Sequence, residues 1–344
     1  MAQTSREVVR KTLKFDCPDR IARHTWVLPW ATDNYKEDIK RLATEYPDDI
    51  VTAPNVYNKS SIVKGDPYEI GVYIDEWGCE FENIHKGIIG EVKKPAIEDP
   101  KDLPGLHCPY DILPENKEQA KKKVNDFCAS TDKFVMAGCC PRPWERLQFL
   151  RGTVNAMMDI MMPDSGVKEL INEIHKFYMA ELEFWVDTDV DALMFMDDWG
   201  SQTSLLIPPP LWEDIFKPLY KDYCDIAHKN GKFIMMHSDG CITAIYPHLI
   251  EIGVDAVNSQ LFCMDMDELA KIAKGKITFW GEIDRQHVMP SDNVQDAIDA
   301  VDKVASFLYQ PSGGVIAQFE VGPGTNIENA FAVHRRWQQI AENK

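Results

Sequence analysis

The residues best suited to chemistry are carboxylates and one imidazole placed at the ends of apolar runs. The segment 232–241, KFIMMHSDGC, closes on His237, Ser238, Asp239 and Gly240. In a strand, alternate side chains share a face, so Phe233, Met235, His237 and Asp239 point one way and an imidazole lies two positions from a carboxylate. The run 190–200, VDALMFMDDWG, ends in a second acidic tip, Asp197-Asp198-Trp199-Gly200. Asp198 shares a face with Met194 and Met196, and Asp197 with Phe195, so only one of the two aspartates points into a site. Asp198 is the expected one, the alternative being that either aspartate caps the following turn. Glu282-Ile283-Asp284 and Glu320-Val321-Gly322 add Glu282 and Glu320, and Asn258-Ser259-Gln260 adds amides. Carboxylates gathered in one mouth repel and raise one another's pKa. A metal cation or a cationic substrate relieves that repulsion. Gln202 and Gln260 either contact a ligand or tie down a loop.

The elements that must position these tips follow a regular beat. Strands are expected at 21–28, 49–53, 133–138, 190–200, 232–241, 254–259, 277–283 and 314–319. Helical patterns lie between them, among them 34–46, 116–129, 144–161, 165–187 and 211–230. Eight strands alternating with helices predict a (β/α)8 TIM barrel over 1–344, with chemistry at the C-terminal mouth. Residues 68–92 break the beat. There YEIGVYIDEWGCEF and GIIGEV alternate with glycine at turn positions, which predicts a β-hairpin insertion.

Composition excludes several function classes. The formal net charge of −18 and pI near 4.9 speak against nucleic acid, which demands a basic surface. No run approaches the ~18 apolar residues of a membrane span, and residues 1–10 lack a signal peptide's apolar core, so no membrane role and a cytoplasmic location are expected. Nine cysteines without the dense spacing of a secreted scaffold fit reduced thiols, most of them core residues. Cys139 and Cys140 are the two that could instead line a site.

With these residues in view, the chain resembles the uroporphyrinogen decarboxylase superfamily, and within it the corrinoid-linked methyltransferase branch. The matching pieces are Pro18-Asp19-Arg20, Asp75-Glu76-Trp77-Gly78, Leu150-Arg151-Gly152, the DDWG and HSDG tips, the FWGEID strand at 279–284, Gly313-Gly314-Val315-Ile316 and Thr325-Asn326-Ile327-Glu328-Asn329. The resemblance implies methyl transfer to or from a corrinoid (cobalamin) held on a partner protein, with a small-molecule methyl donor or acceptor such as an aromatic methyl ether. In the thiol-dependent methyltransferases of this superfamily a His-x-Cys pair and a last-strand Cys hold zinc. Here His237 matches, Asp239 stands where the Cys of the pair would be, and the last position falls near Glu320. Histidine with carboxylates suits zinc or another divalent metal. The expected ligands are therefore His237 and Glu320 with Asp239 or Glu282, and Cys241 is a nearby substitute.

The remaining expected roles follow from that picture. His237, Asp198 and Glu282 are the expected catalytic residues, with Asp198 orienting substrate or acting as general acid. Asp197, Trp199, Gln202 and Gln260 are the expected substrate contacts, Trp199 by stacking on a ring. True decarboxylases carry an arginine-rich segment after the first strand, whereas residues 28–34 here, LPWATDN, contain no arginine. The alternatives are a metal-independent decarboxylase acting on another substrate and a non-catalytic ligand- or corrinoid-binding barrel. The insertion would serve as a lid, a homodimer contact or a docking surface for the corrinoid partner.

Overall fold

The computed structural model describes residues 2–162 and 164–342. Eight parallel strands form a nearly closed (β/α)8 barrel: β1 (Ala22–Val27), β2 (Ile50–Thr52), β6 (Phe134–Met136), β7 (Ala192–Met196), β8 (Phe233–Ser238), β9 (Ala256–Ser259), β10 (Thr278–Trp280) and β11 (Val315–Val321). The sheet order is β1-β11-β10-β9-β8-β7-β6-β2. The seam between β1 and β2 is stitched by side chains. Asp49 accepts the Arg23 N–H at 2.8 Å and Asp48 the Thr25 N–H at 2.7 Å, while the Asp49 N–H reaches the Arg23 carbonyl at 2.9 Å. The insertion is a three-stranded antiparallel sheet, β3 (Gly71–Ile74), β4 (Glu80–Asn83) and β5 (Glu91–Lys94), where a hairpin was expected.

Period-two alternation fills the barrel. Ala22, Ile50, Phe134, Met136, Ala192, Met235, Ala256, Trp280 and Ile316 form an interior cluster, closed from below by Val8, Val9 and Leu13 of the helix Ser5–Leu13. That plug is held by charge: Arg6 and Arg10 reach the buried Asp191 at 3.1 and 2.6 Å. Among the described residues this plug covers the bottom, so the interior polar groups are approached from the C-terminal mouth.

Two helices differ from expectation. The segment 144–161 breaks at Gly152 into Pro143–Arg151 and Thr153–Met161, because Gly152 adopts φ +76°, a left-handed conformation that ends the first helix. The segment 211–230 divides into Pro209–Ile215 and Lys217–Lys229 at Phe216. Pro218 has no N–H to continue the first helix and its ring would crowd the carbonyl four residues back.

Two core histidines make the fold acid-sensitive. His24 stacks on Trp280 at 5.6 Å and its Nδ1 accepts the Trp280 indole N–H at 3.2 Å, so protonation would break the contact. His334 lies between Tyr46 and Phe319 with Nε2 2.9 Å from Thr25 Oγ1. Burial pushes His24 down to about 4 and His334 down to about 3. Both folded values lie below the unfolded one, so the unfolded chain binds protons first as pH falls. Their contribution is complete above ~6.5 and is lost on acidification toward those values. Urea midpoints should show stability falling by roughly 2 kcal/mol per histidine between pH 7 and pH 5. His334→Gln should remove about half of that dependence, and an unchanged slope would refute it.

Candidate active site

Backbone contact between two loops builds the site. Gly200 of the DDWG tip and Gly240 of the HSDG tip touch main chain to main chain, and a Cβ on either would overlap the other's backbone. The tips are then zipped by hydrogen bonds: Asp197 N–H to the His237 carbonyl at 3.1 Å, Gly200 N–H to the Asp239 carbonyl at 3.0 Å, and Trp199 N–H to Ser238 Oγ at 3.1 Å. This approach carries Asp198 to His237. His237 Nε2 lies 3.5 Å from Asp198 Oδ1 and 3.6 Å from Asp239 Oδ1.

The tautomer of His237 follows from its neighbour. Asn258, paired with His237 across β8 and β9, donates from Nδ2 to the Trp280 carbonyl at 2.5 Å and to Gln318 Oε1 at 2.8 Å. Its amide orientation is thereby fixed, and Asn258 Oδ1 accepts the His237 Nδ1–H at 2.6 Å. With Nδ1 engaged in this way, Nε2 is turned toward the two aspartates. This is the arrangement by which a protein orients a histidine for a metal. One ligand atom each from Asp198, His237 and Asp239 lie within 4.8 Å of one another. Asp239 Oδ1 is buried without a hydrogen-bond partner, while Oδ2 is taken by the Arg285 guanidinium. That unsatisfied oxygen lies 3.6 Å from His237 Nε2, and a divalent cation fits this donor set.

The carboxylates expected on the metal therefore separate. His237 and Asp239 stay together, and Asp198 joins them, although its expected role was orientation or acid catalysis. Glu282 and Glu320 instead face Arg285, with Oε1 of Glu282 3.7 Å from Nε and Oε2 of Glu320 3.7 Å from Nη1. The guanidinium occupies the space between Asp239 and these two acids. Burial pushes Glu282 up to about 8, with Arg285 opposing and Asp239, Glu320 and Asp284 adding to the rise. Burial raises Glu320 and Asp198 as well, against Arg285 and His237 respectively.

Other expected contacts lie away from this centre. Asp197 is fully buried behind the tip and accepts from the N–H groups of Trp144 and Glu145 and from the Tyr220 hydroxyl, so it caps a helix rather than touching substrate. Trp199 is also fully buried, stacked on Trp144 at 5.2 Å with its N–H on Tyr220, and offers no face to a ligand. Gln260 accepts the Gly240 N–H at 2.9 Å and braces the HSDG turn. The exposed Gln202 bonds Gln286 at 3.2 Å on the rim. The Cys241 thiol lies 3.9 Å from Thr243 Oγ1, outside the cluster of Asp198, His237 and Asp239. Cys139 is in the core, whereas Cys140 lines a cleft at the mouth.

The roles of several site residues were not anticipated. Trp26 of β1 packs against His237 at a ring distance of 5.2 Å and supplies the aromatic wall expected of Trp199. Its signal was the inward alternation Ala22, His24, Trp26. Asn258 sits at a strand tip two residues before Gln260, in the position that faces the interior. Arg285 follows directly on the Glu282 tip. Glu145, at the start of the helix Pro143–Arg151, is pushed up by burial and feels Arg142, Asp198 and His237. Nothing in the sequence pattern links it to the other tips.

A barrel whose mouth gathers His237 with Asp198, Asp239, Glu145, Glu282 and Glu320 has the groups for cation-assisted or proton-transfer chemistry. By sequence, residues 67–339 match the family model described as Uroporphyrinogen decarboxylase (URO-D), and the chain belongs to that family. No curated protein matches the sequence. Among solved structures, a methyltransferase from Methanosarcina mazei superposes with a TM-score of 0.70 at 14% identity, covering 98% of this chain and 99% of that one. That likeness is one of fold. The C-terminal domain of a putative chitinase from Desulfitobacterium hafniense matches at 0.43 and 9% identity, covering 93% and 99% of the two chains. A 3-keto-D-glucoside 4-epimerase from E. coli matches at 0.37 and 11%, covering 65% and 86%.

Proposed function

We propose that the protein is a methyltransferase that moves a methyl group between a small molecule and a corrinoid carried on a separate protein. The observation that carries this reading is the His237 Nε2 lone pair, aimed by Asn258 at the unsatisfied Oδ1 of Asp239 and at Asp198. His237, Asp198 and Asp239 would hold a divalent metal, zinc being the first candidate. Such an ion supplies Lewis acidity to the oxygen or sulfur that loses or gains methyl. The chain's own groups do the rest. Arg285 holds the Asp239 carboxylate in place and offsets the charge of Glu282 and Glu320. Glu282 and Glu145, both raised toward neutrality by burial, are placed to take or return a proton as the heteroatom changes charge. Trp26 screens the imidazole from water on the β1 side.

A second reading is favoured by Arg285, whose single positive charge already faces three of the carboxylates. In a metal-free lyase this guanidinium would bind a substrate carboxylate and His237 would handle the proton. One experiment separates the two. Protein purified without chelator should contain about one zinc per chain, and should change the absorbance of cob(I)alamin in the presence of a methyl donor, with the change abolished by chelation and restored by zinc. Carbon dioxide release that survives chelation and requires no corrinoid would sink the methyltransferase.

A further inference from the structure

We infer that the cleft between the barrel mouth and the three-stranded insertion is a binding site for an aromatic acid, with Arg142 holding the carboxylate, Glu181 hydrogen-bonding its oxygen, and aromatic side chains enclosing the ring. It rests on the methyl-transfer reading only for what happens to the ligand, since the binding is argued independently. The cleft encloses about 800 Å³, within the usual range for a small-molecule site. Tyr73, Phe149 and Tyr178 are among its walls. Its charged groups carry both signs, Lys59, Arg142 and Arg146 against Asp75, Glu76, Glu145 and Glu181, and they differ in how far they are already engaged.

Arg146 is committed. It bonds Asp75 at 2.5 Å, lies 3.5 Å from Glu76 and packs over Trp77 at 4.9 Å, which fixes the insertion to the barrel. Arg142 is different. Its Nε reaches the Cys140 carbonyl at 3.5 Å, and its Nη1 has only a 3.9 Å approach to Glu145. The Cys140 thiol also hydrogen-bonds to the Arg142 side chain, so the contacts of Arg142 are weak and long rather than absent. A guanidinium held only by a 3.9 Å ion pair and a weak thiol contact can exchange them for a carboxylate bound in two parallel hydrogen bonds.

Glu181 supplies the second, independent feature. It is only 7% exposed, lines the cleft, and its Oε1 accepts the Tyr57 hydroxyl at 2.7 Å while Oε2 has no partner. Tyr57 is itself oriented by the Trp185 indole N–H at 2.8 Å, so the hydroxyl proton points at Glu181. Burial pushes Glu181 up to about 7, and a protonated Oε2 donates to an anion's oxygen. Glu145 lines the same cleft and feels both Arg142 and His237, so a ligand on Arg142 is one side chain from the His237 cluster.

The test uses three probes with the same ring and different charge: benzoate, benzamide and benzamidinium. Their binding to the full chain is followed by ligand-observed NMR titration. Benzoate should bind ~10-fold or more tighter than benzamide, the margin expected of a charge-assisted bidentate contact, and benzamidinium weakest. Arg142→Gln should bring benzoate down to the benzamide level, and Arg142→Lys, which keeps charge without the fork, should fall between. Glu181→Gln keeps a neutral hydrogen-bonding group and should bind benzoate within a few-fold of the parent. Equal binding of the three probes, preference for benzamidinium, or benzoate binding unaffected in both Arg142 variants would each overturn the assignment. The His237→Ala variant should bind benzoate as the parent does. Loss of metal or methyl transfer there leaves this inference standing, and loss of benzoate preference leaves the methyl-transfer reading standing.

Discussion

Under the proposed metal-assisted methyl transfer, the His237→Ala variant is expected to emerge from purification without zinc and to transfer methyl groups ~10²–10³-fold more slowly, the scale of removing one electrostatic contribution of several kcal/mol from a transition state. Three observations set that expectation. The imidazole is buried, so nothing from solvent replaces it. Its Nδ1–H is held by Asn258, so the lone pair on Nε2 has one direction to point. The other two members of the cluster are carboxylates that repel each other once the nitrogen between them is gone. Asn258→Leu provides the graded comparison. It leaves the nitrogen in place and removes its orientation, and a loss of ~10–100-fold in metal affinity is the usual consequence. Zinc content by elemental analysis and the corrinoid absorbance change read both variants. Wild-type activity in a metal-free His237→Ala protein would remove the imidazole from the chemistry and favour the metal-free lyase.

The gathering of tips at the mouth was legible because strand alternation is a strong constraint. Met194, Met196 and Asp198 must share a face, as must Met235, His237 and Asp239, and the structure sets Asp198 against His237 as that pattern requires. The barrel was legible for the same reason. What alternation does not encode is the partner of each charge. Arg285 lies in a loop, three residues past Glu282, and nothing in its spacing says that its fork spans Asp239, Glu282 and Glu320. Glu145 reaches the mouth only because the helix that carries it starts beside the DDWG tip. Trp199 was misread for a related reason. An indole beside two acids looks like a ligand platform, but the strand face of Phe195 and Asp197 points it and its neighbour into the helical layer, where Trp144, Trp212 and Phe216 surround it.

Asp197→Ala is expected to be the most destabilising single change at the mouth, by about 3–5 kcal/mol. The carboxylate accepts from Glu145 N–H at 2.8 Å and Trp144 N–H at 3.0 Å, the first free donors of the helix Pro143–Arg151, which has no side-chain cap of its own. It also accepts from the Tyr220 hydroxyl at 2.6 Å, and that hydroxyl in turn accepts from Trp199. Alanine leaves three buried donors without an acceptor, beside a helix N-terminus that favours negative charge. For a chain of this length the melting temperature should fall by roughly 4–7 °C. Asparagine keeps one acceptor oxygen, and rotation of the Tyr220 hydroxyl lets it accept from the new amide, so Asp197→Asn should recover part of the loss. The effect reaches function because the same helix carries Glu145, and Arg142 precedes its first residue. A loosened N-terminus should weaken benzoate binding in the cleft while zinc content stays near the parent level, since no metal-facing atom has changed. Loss of ligand binding with no change in melting temperature would instead make Asp197 a direct contact and reverse its assignment as a cap.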